Sequence, residues 1–326
     1  MTRFLVFVLV GLGAQLVDGS LGMAFGVTAT TLLLTSGVTA AVASASVHLA
    51  EIGSTLVSGV AHWRFQNVDW KLVVRLGVPG AVGAFVGASL LSRLSTDVAA
   101  PWTSAILLVL GVYIVLRFAT TAIDGQLAAR PPLRKRALVP LGLTAGFIDA
   151  TGGGGWGPVA TSTLLSAKRT EPRKVIGSVS ASEFLVAVFA SLGFLIGLGN
   201  EAIDWAVVGG LLAGGVVAAP LAAWLVKHLP VPLLGTGAGG LLVLTNVRTL
   251  FKQTDLTAGA RFAVYGGIVA VVVALGTYAF RRWRRDSARL AEESVETVDD
   301  RELAELEAAE LQGAAPRSPL REGGAP

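Results

Sequence analysis

The chain has 326 residues, of which 53% are hydrophobic and only 15% are charged, with a net charge of +4. A soluble domain carries about 25% charged residues to clothe its surface, so this composition excludes a soluble enzyme. The absence of cysteine excludes disulfides, thiolate nucleophiles and Cys-ligated metals. His48, His62 and His228 are too scattered to suggest a metal site.

Apolar segments run at about 4–36, 40–61, 72–92, 102–123, 137–167, 175–199, 205–226, 231–250 and 262–280. Each is close to the ~20 residues that span a bilayer, or longer. The first, Phe4–Ser36, has 33 residues and as one helix would be roughly 50 Å long. Asp18-Gly19-Ser20-Leu21-Gly22 interrupts it near the middle. Phe4–Val17 imitates a signal-peptide core, but it matches Val139–Ile148 further on, which points to its retention. The second segment carries Ser44, His48 and Glu51 on one helical face. The third carries Gly80, Gly83 and Gly87, read as close helix packing. Ala137–Ala167 is again too long, and Asp149 through Gly157 interrupts it with four consecutive glycines, Gly152, Gly153, Gly154 and Gly155. Ser178, Ser182 and Glu183 follow on the next segment, and Asn246 and Arg248 on the eighth. Trp63, Trp70, Trp102, Trp205 and Trp283 sit at segment ends, as an aromatic belt does.

The two long segments are related. GLGAQLVDGSLGMAFG (11–26) aligns with GLTAGFIDATGGGGWG (142–157) without a gap, pairing Asp18 with Asp149. Downstream, SAS at 44–46 faces SVS at 178–180, DW at 69–70 faces DW at 204–205, and LLVL occurs at 107–110 and 241–244. This is an internal duplication with one extra helix. The domains expected are a first repeat over 1–120, a basic cytoplasmic linker over 121–136 and a second repeat over 137–255. A final transmembrane helix over 256–285 and an acidic, largely disordered cytoplasmic tail over 286–326 follow, with a short helix within 288–311.

Charge placement orients these parts. From Asp286 onward there are 11 acidic and 4 basic residues, whereas residues 1–285 hold 22 basic and 11 acidic ones. The basic excess sits in loops between apolar segments, which is the positive-inside pattern rather than a nucleic-acid surface. The linker and the loop 168–174 are both basic although one long segment separates them. A re-entrant pair, entering and returning at the glycines, places both in the cytoplasm. The expected fold is therefore an all-α polytopic membrane protein. Its two halves are inverted repeats, each starting with a Gly-broken re-entrant helix pair, plus one C-terminal transmembrane helix. The rival plan has single crossings and a parallel repeat.

Each break is expected to start a new half-helix, at about Leu21 and Trp156. A helix N-terminus offers unpaired N–H groups and partial positive charge, an anion site without a full cation. The candidate substrate site is Asp18, Gly19, Ser20, Gly22, Asp149, Thr151, Gly152, Gly153, Gly154, Gly155 and Trp156. Candidate pathway or coupling residues are Ser44, His48, Glu51, Ser178, Ser182, Glu183 and Asn246. The two Asp residues fit two readings: a proton carrier, or an N-cap for the half-helix. The serines alone read as helix glue.

The motifs DGSLGMAFG and DATGGGGWG at corresponding points of two halves, with a basic central linker, resemble the sulfite exporter TauE/SafE family of bacterial membrane proteins over about residues 4–281. The resemblance implies transport of a small sulfur oxyanion or organosulfonate of the sulfite, thiosulfate or sulfoacetate class. The expected partners are that anion, the lipid bilayer of the cell membrane and protons as coupling ion, with no cofactor, metal or nucleic acid. A channel or transporter for a metal cation is the alternative. An intramembrane aspartyl protease built on Asp18 and Asp149 is the remote one, since neither Asp has the Tyr-Asp or Gly-x-Gly-Asp context such enzymes use.

Overall fold

The structure is a computed structural model that describes residues 2–21, 23–120, 135–167, 169–228, 230–252 and 254–311. The expectations for Gly22, for linker residues 121–134, for the last residues, 312–326, and for the side chain of Ser20 lie outside the described residues.

Among the described residues every regular element is a helix. In chain order these are α1 (Thr2–Leu21), α2 (Phe25–Thr35), α3 (Ala40–Arg64), α4 (Trp70–Leu91) and α5 (Thr96–Thr120). Then come α6 (Lys135–Gly152), a π turn (Gly157–Thr161), α7 (Ser162–Ser166) and α8 (Pro172–Leu198). A 3-10 turn (Asn200–Ala202) precedes α9 (Trp205–His228), α10 (Val231–Phe251) and α11 (Ala258–Leu311). Five described stretches are long and apolar enough to cross a membrane: α3, α4, α5, Arg173–Leu198 and Ala258–Arg289. The chain is thus a multi-pass membrane protein.

The repeated DW pair has a local cause. Asp69 caps α4, its carboxylate accepting from the amides of Lys71 (2.9 Å) and Leu72 (3.3 Å). Asp204 takes the amide of Ala206 (2.9 Å) at the start of α9. In each case the acidic side chain satisfies a donor of the first turn, and the following Trp, 56% exposed at Trp70 and 55% at Trp205, stands at the helix end as an interface anchor.

The first break falls later than the sequence pattern suggested. Helix α1 runs through Leu21, so Leu21 closes the first half-helix and Phe25 opens the second. After the glycines, helical backbone resumes at Trp156, where it was expected, and continues into the π turn. Both starts are set by an aspartate reaching six and seven residues ahead, described below.

Small residues set the packing. Helix α1 lies on α9, where Gly11 faces Leu211 and Gly210 faces Phe7. Helix α6 lies on α4, where Gly142 faces Pro79 and Gly87 faces Phe147. Each half thus lends its first helix to the other half. Helix α3 packs on α8 at Gly59 and Ala181, and Ser58 bonds Ser180 at 2.8 Å. Helix α5 packs on α10, with Gly111 against Leu242 and Gly239 against Val115. A glycine without Cβ lets two backbones approach where lipid provides no hydrophobic drive.

The chain divides into two units, 1–280 and 281–326. In the first, the initial part of α11 is largely exposed, with Phe262, Val271 and Val273 pointing outward. In the second, α11 continues to Leu311, so residues 286–311, expected to be largely disordered apart from a short helix, are helical. Arg282 lies 3.7 Å from Asp286 one turn on. At the start of α8, Arg173 bonds Glu171 at 2.8 Å and holds its carboxyl below the ordinary range.

Candidate functional site

The two breaks share one construction. Asp18 Oδ1 accepts from the amides of Ala24 (2.8 Å) and Phe25 (3.0 Å). Asp149 Oδ1 accepts from those of Gly155 (2.7 Å) and Trp156 (2.9 Å). The spacing is the same in both halves. Each carboxylate spans the break and caps the strand of chain beyond it, satisfying amides that would otherwise be orphaned in an apolar interior. The glycines make the reversal possible, because Gly153 has φ +69° and Gly154 +146°, where a side chain is strained.

The carbonyls at the end of α6 are satisfied from three directions. Ser44 of α3 donates to Ala150 O (2.7 Å) and Thr103 of α5 to Thr151 O (2.8 Å). Thr30 of α2 donates to Gly153 O. The unwound stretch therefore has its polar backbone paired by hydroxyls of neighbouring helices, as irregular backbone at membrane depth requires.

His48 adds a second partner for Asp149. Its Nδ1 is 2.8 Å from Ser44 O, and a carbonyl only accepts, so Nδ1 carries a hydrogen. Its Nε2 is 3.0 Å from Asp149 Oδ2, both groups being buried. One proton must lie between these two atoms, so the pair is neutral overall whichever atom holds it. The duplication is broken here. Ser182 stands where the second half would match His48, and it donates to Val179 O of its own helix (2.8 Å). The second half therefore brings Asp18 no imidazole.

Between the breaks lies a cavity of about 200 Å³, the liquid volume of six or seven waters at ~30 Å³ each. Gly26 and Val27 line it from α2, and Gly154, Gly155 and Gly157 from the other break. Ser54, Thr55, Ser58 and His62 of α3 face Ile176, Ser180 and Glu183 of α8 across it. Asp18, Glu51 and Asp149 complete it, and among its described lining residues there is no lysine or arginine. Magnitudes then limit what enters. An anion ~6 Å from one ionised carboxylate is repelled by roughly 3 kcal/mol at an effective dielectric of 20. One helix N-terminus returns about 0.3–2 kcal/mol. Two termini do not offset several charged carboxylates, so an anion needs most of them neutral. Among the described residues no group of three His, Asp or Glu side chains is arranged to hold a metal ion.

The duplicated breaks, each bridged by an aspartate, lie on either side of this cavity. The model of the family described as Sulfite exporter TauE/SafE matches residues 7–249. The chain belongs to that family. It is 50% identical to the probable membrane transporter protein YtnM of Bacillus subtilis (strain 168) over 271 residues, covering 83% of this chain and 90% of the relative. It is 25% identical to the probable membrane transporter protein YdhB of the same organism over 183 residues, covering 56% of this chain and 74% of that one. No solved structure matches it.

In this TauE/SafE chain the expected site residues separate into two groups. Asp18, Asp149, Gly154, Gly155, Glu51 and Glu183 line the cavity. Among the described residues, the following are not part of its lining. Thr151 bonds Phe147 O (2.7 Å), and the indole of Trp156 donates to Val179 O (3.2 Å) while its ring packs on Gly80. Gly152 packs on Ile106 and Gly153 on Thr30. Ser178 accepts from the Asp69 amide (2.8 Å), and Asn246 ties α10 to Thr31 of α2 (3.1 Å). Ser44 and Ser178 thus bond across to neighbouring elements, whereas Ser182 bonds its own helix. The sequence reading missed Ser54, Thr55, Ser58, Ser180 and His62 on the cavity wall. Their signal was the spacing of Ser54 and Ser58, which repeats one turn beyond Glu51.

Proposed function

We propose that this TauE/SafE protein is a secondary transporter for a small sulfur oxyanion or organosulfonate of the sulfite, thiosulfate or sulfoacetate class. The observation that carries the reading is the cavity between two Asp-capped breaks related by duplication. Gly26, Val27 and Gly157 bring backbone to its wall, and Thr161 and the bonded Ser58–Ser180 pair, one of whose hydroxyls keeps its hydrogen free, bring donors for sulfonate oxygens. The carboxylate lining favours the metal-cation alternative, but Asp18 and Asp149 spend Oδ1 on backbone amides. Purified protein in proteoliposomes is expected to take up at least one of labelled sulfite, thiosulfate and sulfoacetate saturably. Uptake of a divalent cation with none of these anions would reverse the choice.

The same reading takes the halves as inverted repeats with re-entrant first pairs, in a cell membrane with the C-terminal tail cytoplasmic. Contact registers support it. Helices α1 and α9 run the same way, with Gly209 near Phe4 and Gly215 near Gln15. Helices α4 and α8 also run the same way, Gly77 near Ser182 and Gly193 near Ala88. Helices α3 and α8 run oppositely, His48 near Phe194 and Gly59 near Ala181. The corresponding helices α3 and α8 therefore point in opposite directions, as inversion requires. Because the chain has no cysteine, single substitutions test this directly. Ser36→Cys is expected to label from outside and Thr170→Cys from the cytoplasm. Labelling of both from one side would refute inversion.

A further inference from the structure

We infer that Glu51 is the binding site for a coupling proton taken up together with the anion, an inference that rests on the anion-transport reading above. Glu51 stands near the middle of α3 on the cavity wall. It is only 4% exposed, and its Oε2 is buried without a hydrogen-bond partner. Its Oε1 lies against Gly26 at the start of α2, where an anion would meet the half-helix. An ionised carboxylate there leaves a dehydrated, unpaired oxygen facing the substrate's own charge. A proton on Oε2 removes the charge, and with it the repulsion and most of the desolvation cost.

The other titratable groups around Glu51 are already committed or differently placed. Asp149 of α6 gives Oδ1 to two amides and shares the proton of His48 at Oδ2. Asp18 of α1 is held by two amides. Glu183 of α8 also lines the cavity but is less buried than Glu51. His48 lies one turn back on α3 and His62 about three turns on, while α2 and the π turn bring no titratable group. Glu51 is left as the group whose charge changes when the anion arrives. One proton passes from solvent to Oε2 as the anion binds and leaves as it departs. For a singly charged sulfonate, the loaded and empty sites then carry the same net charge.

The test uses the full chain and sulfoacetate, whose anionic groups do not titrate between pH 6 and 9, roughly the range needed. Calorimetry in buffers of different ionisation enthalpy counts protons. Affinity is expected to fall about tenfold per pH unit on the alkaline side, with one proton taken up per anion there. In Glu51→Gln the slope flattens and the uptake vanishes, while Glu171→Gln, in the exposed loop before α8, keeps both. In proteoliposomes Glu51→Gln still exchanges labelled sulfoacetate but loses accumulation driven by a pH gradient. Wild-type binding without proton uptake, or an unchanged slope in Glu51→Gln, overturns the proton site and leaves the anion reading standing. If Glu51→Gln does not fold, the wild-type proton count decides alone. A wild-type protein that binds none of sulfoacetate, sulfite and thiosulfate sinks the anion reading, and the proton site with it.

Discussion

Gly154→Ala is expected to abolish transport and to cost roughly 2–6 kcal/mol of stability. Two causes add. The residue has φ +146°, a conformation that only glycine adopts without strain. A Cβ there would also stand 2.6 Å from the Cα of Gly26, and one on Gly26 would stand 2.7 Å from the Cα of Gly154. The obstacle is backbone on both sides, so no side chain can rotate away. Gly237, with nothing within 4 Å of an added Cβ, is the control and should accept alanine without loss. Thermal unfolding in detergent, followed by loss of the monodisperse peak, compares them. Equal midpoints for the two variants would mean that the breaks do not meet as closely as described.

Asp149→Ala is expected to destabilise the protein by roughly 3–5 kcal/mol, because it strands the Gly155 and Trp156 amides and leaves buried His48 without its partner. Asp149→Asn should stay close to wild type in stability. Its amide oxygen still accepts from the backbone, and its NH2 donates to Nε2, which the Nδ1–H tautomer of His48 leaves free to accept. Asp18→Ala removes a cap without a buried histidine, at about 0.5–2 kcal/mol. The order of melting temperatures is the measurement. Matching losses for Asp149→Ala and Asp18→Ala would show that the histidine contact adds nothing.

Much of this architecture was legible because it depends on local chemistry. The duplication, both breaks and the two aspartates are written in hydropathy and glycine placement, and the family resemblance follows from them. Cap or carrier was left open; each aspartate accepts two amides across its break, as a cap does, and each reaches the same distance along the chain. That reach is why α2 starts later than expected: the cap spans the whole turn, and a residue pattern does not reveal the path between its ends. The His48–Asp149 contact joins residues 101 positions apart, so no spacing rule finds it. Ser54, Ser58 and Ser180 escaped for a different reason. A hydroxyl on an apolar helix reads the same whether it bonds its own backbone, as Ser182 does, or faces a cavity.

The seams between the halves are unequal. Helix α4 lies along α8, with Gly77 against Ser182, Gly193 against Ala88 and Gly197 against Ser92. Its counterpart, α9 with α3, meets more sparsely, Gly53 standing 3.4 Å from a methyl of Leu212. Duplicated halves can trade such arrangements without any change of sequence. If α9 closed on α3 as α4 closes on α8, and α4 swung free, the cavity would shut at its present end beside His62 and Ile176 and open at the other. The step that resets the carrier is then the parting of α4 from α8. Glycine makes that seam close, but it supplies no interlocking side chain to hold it shut.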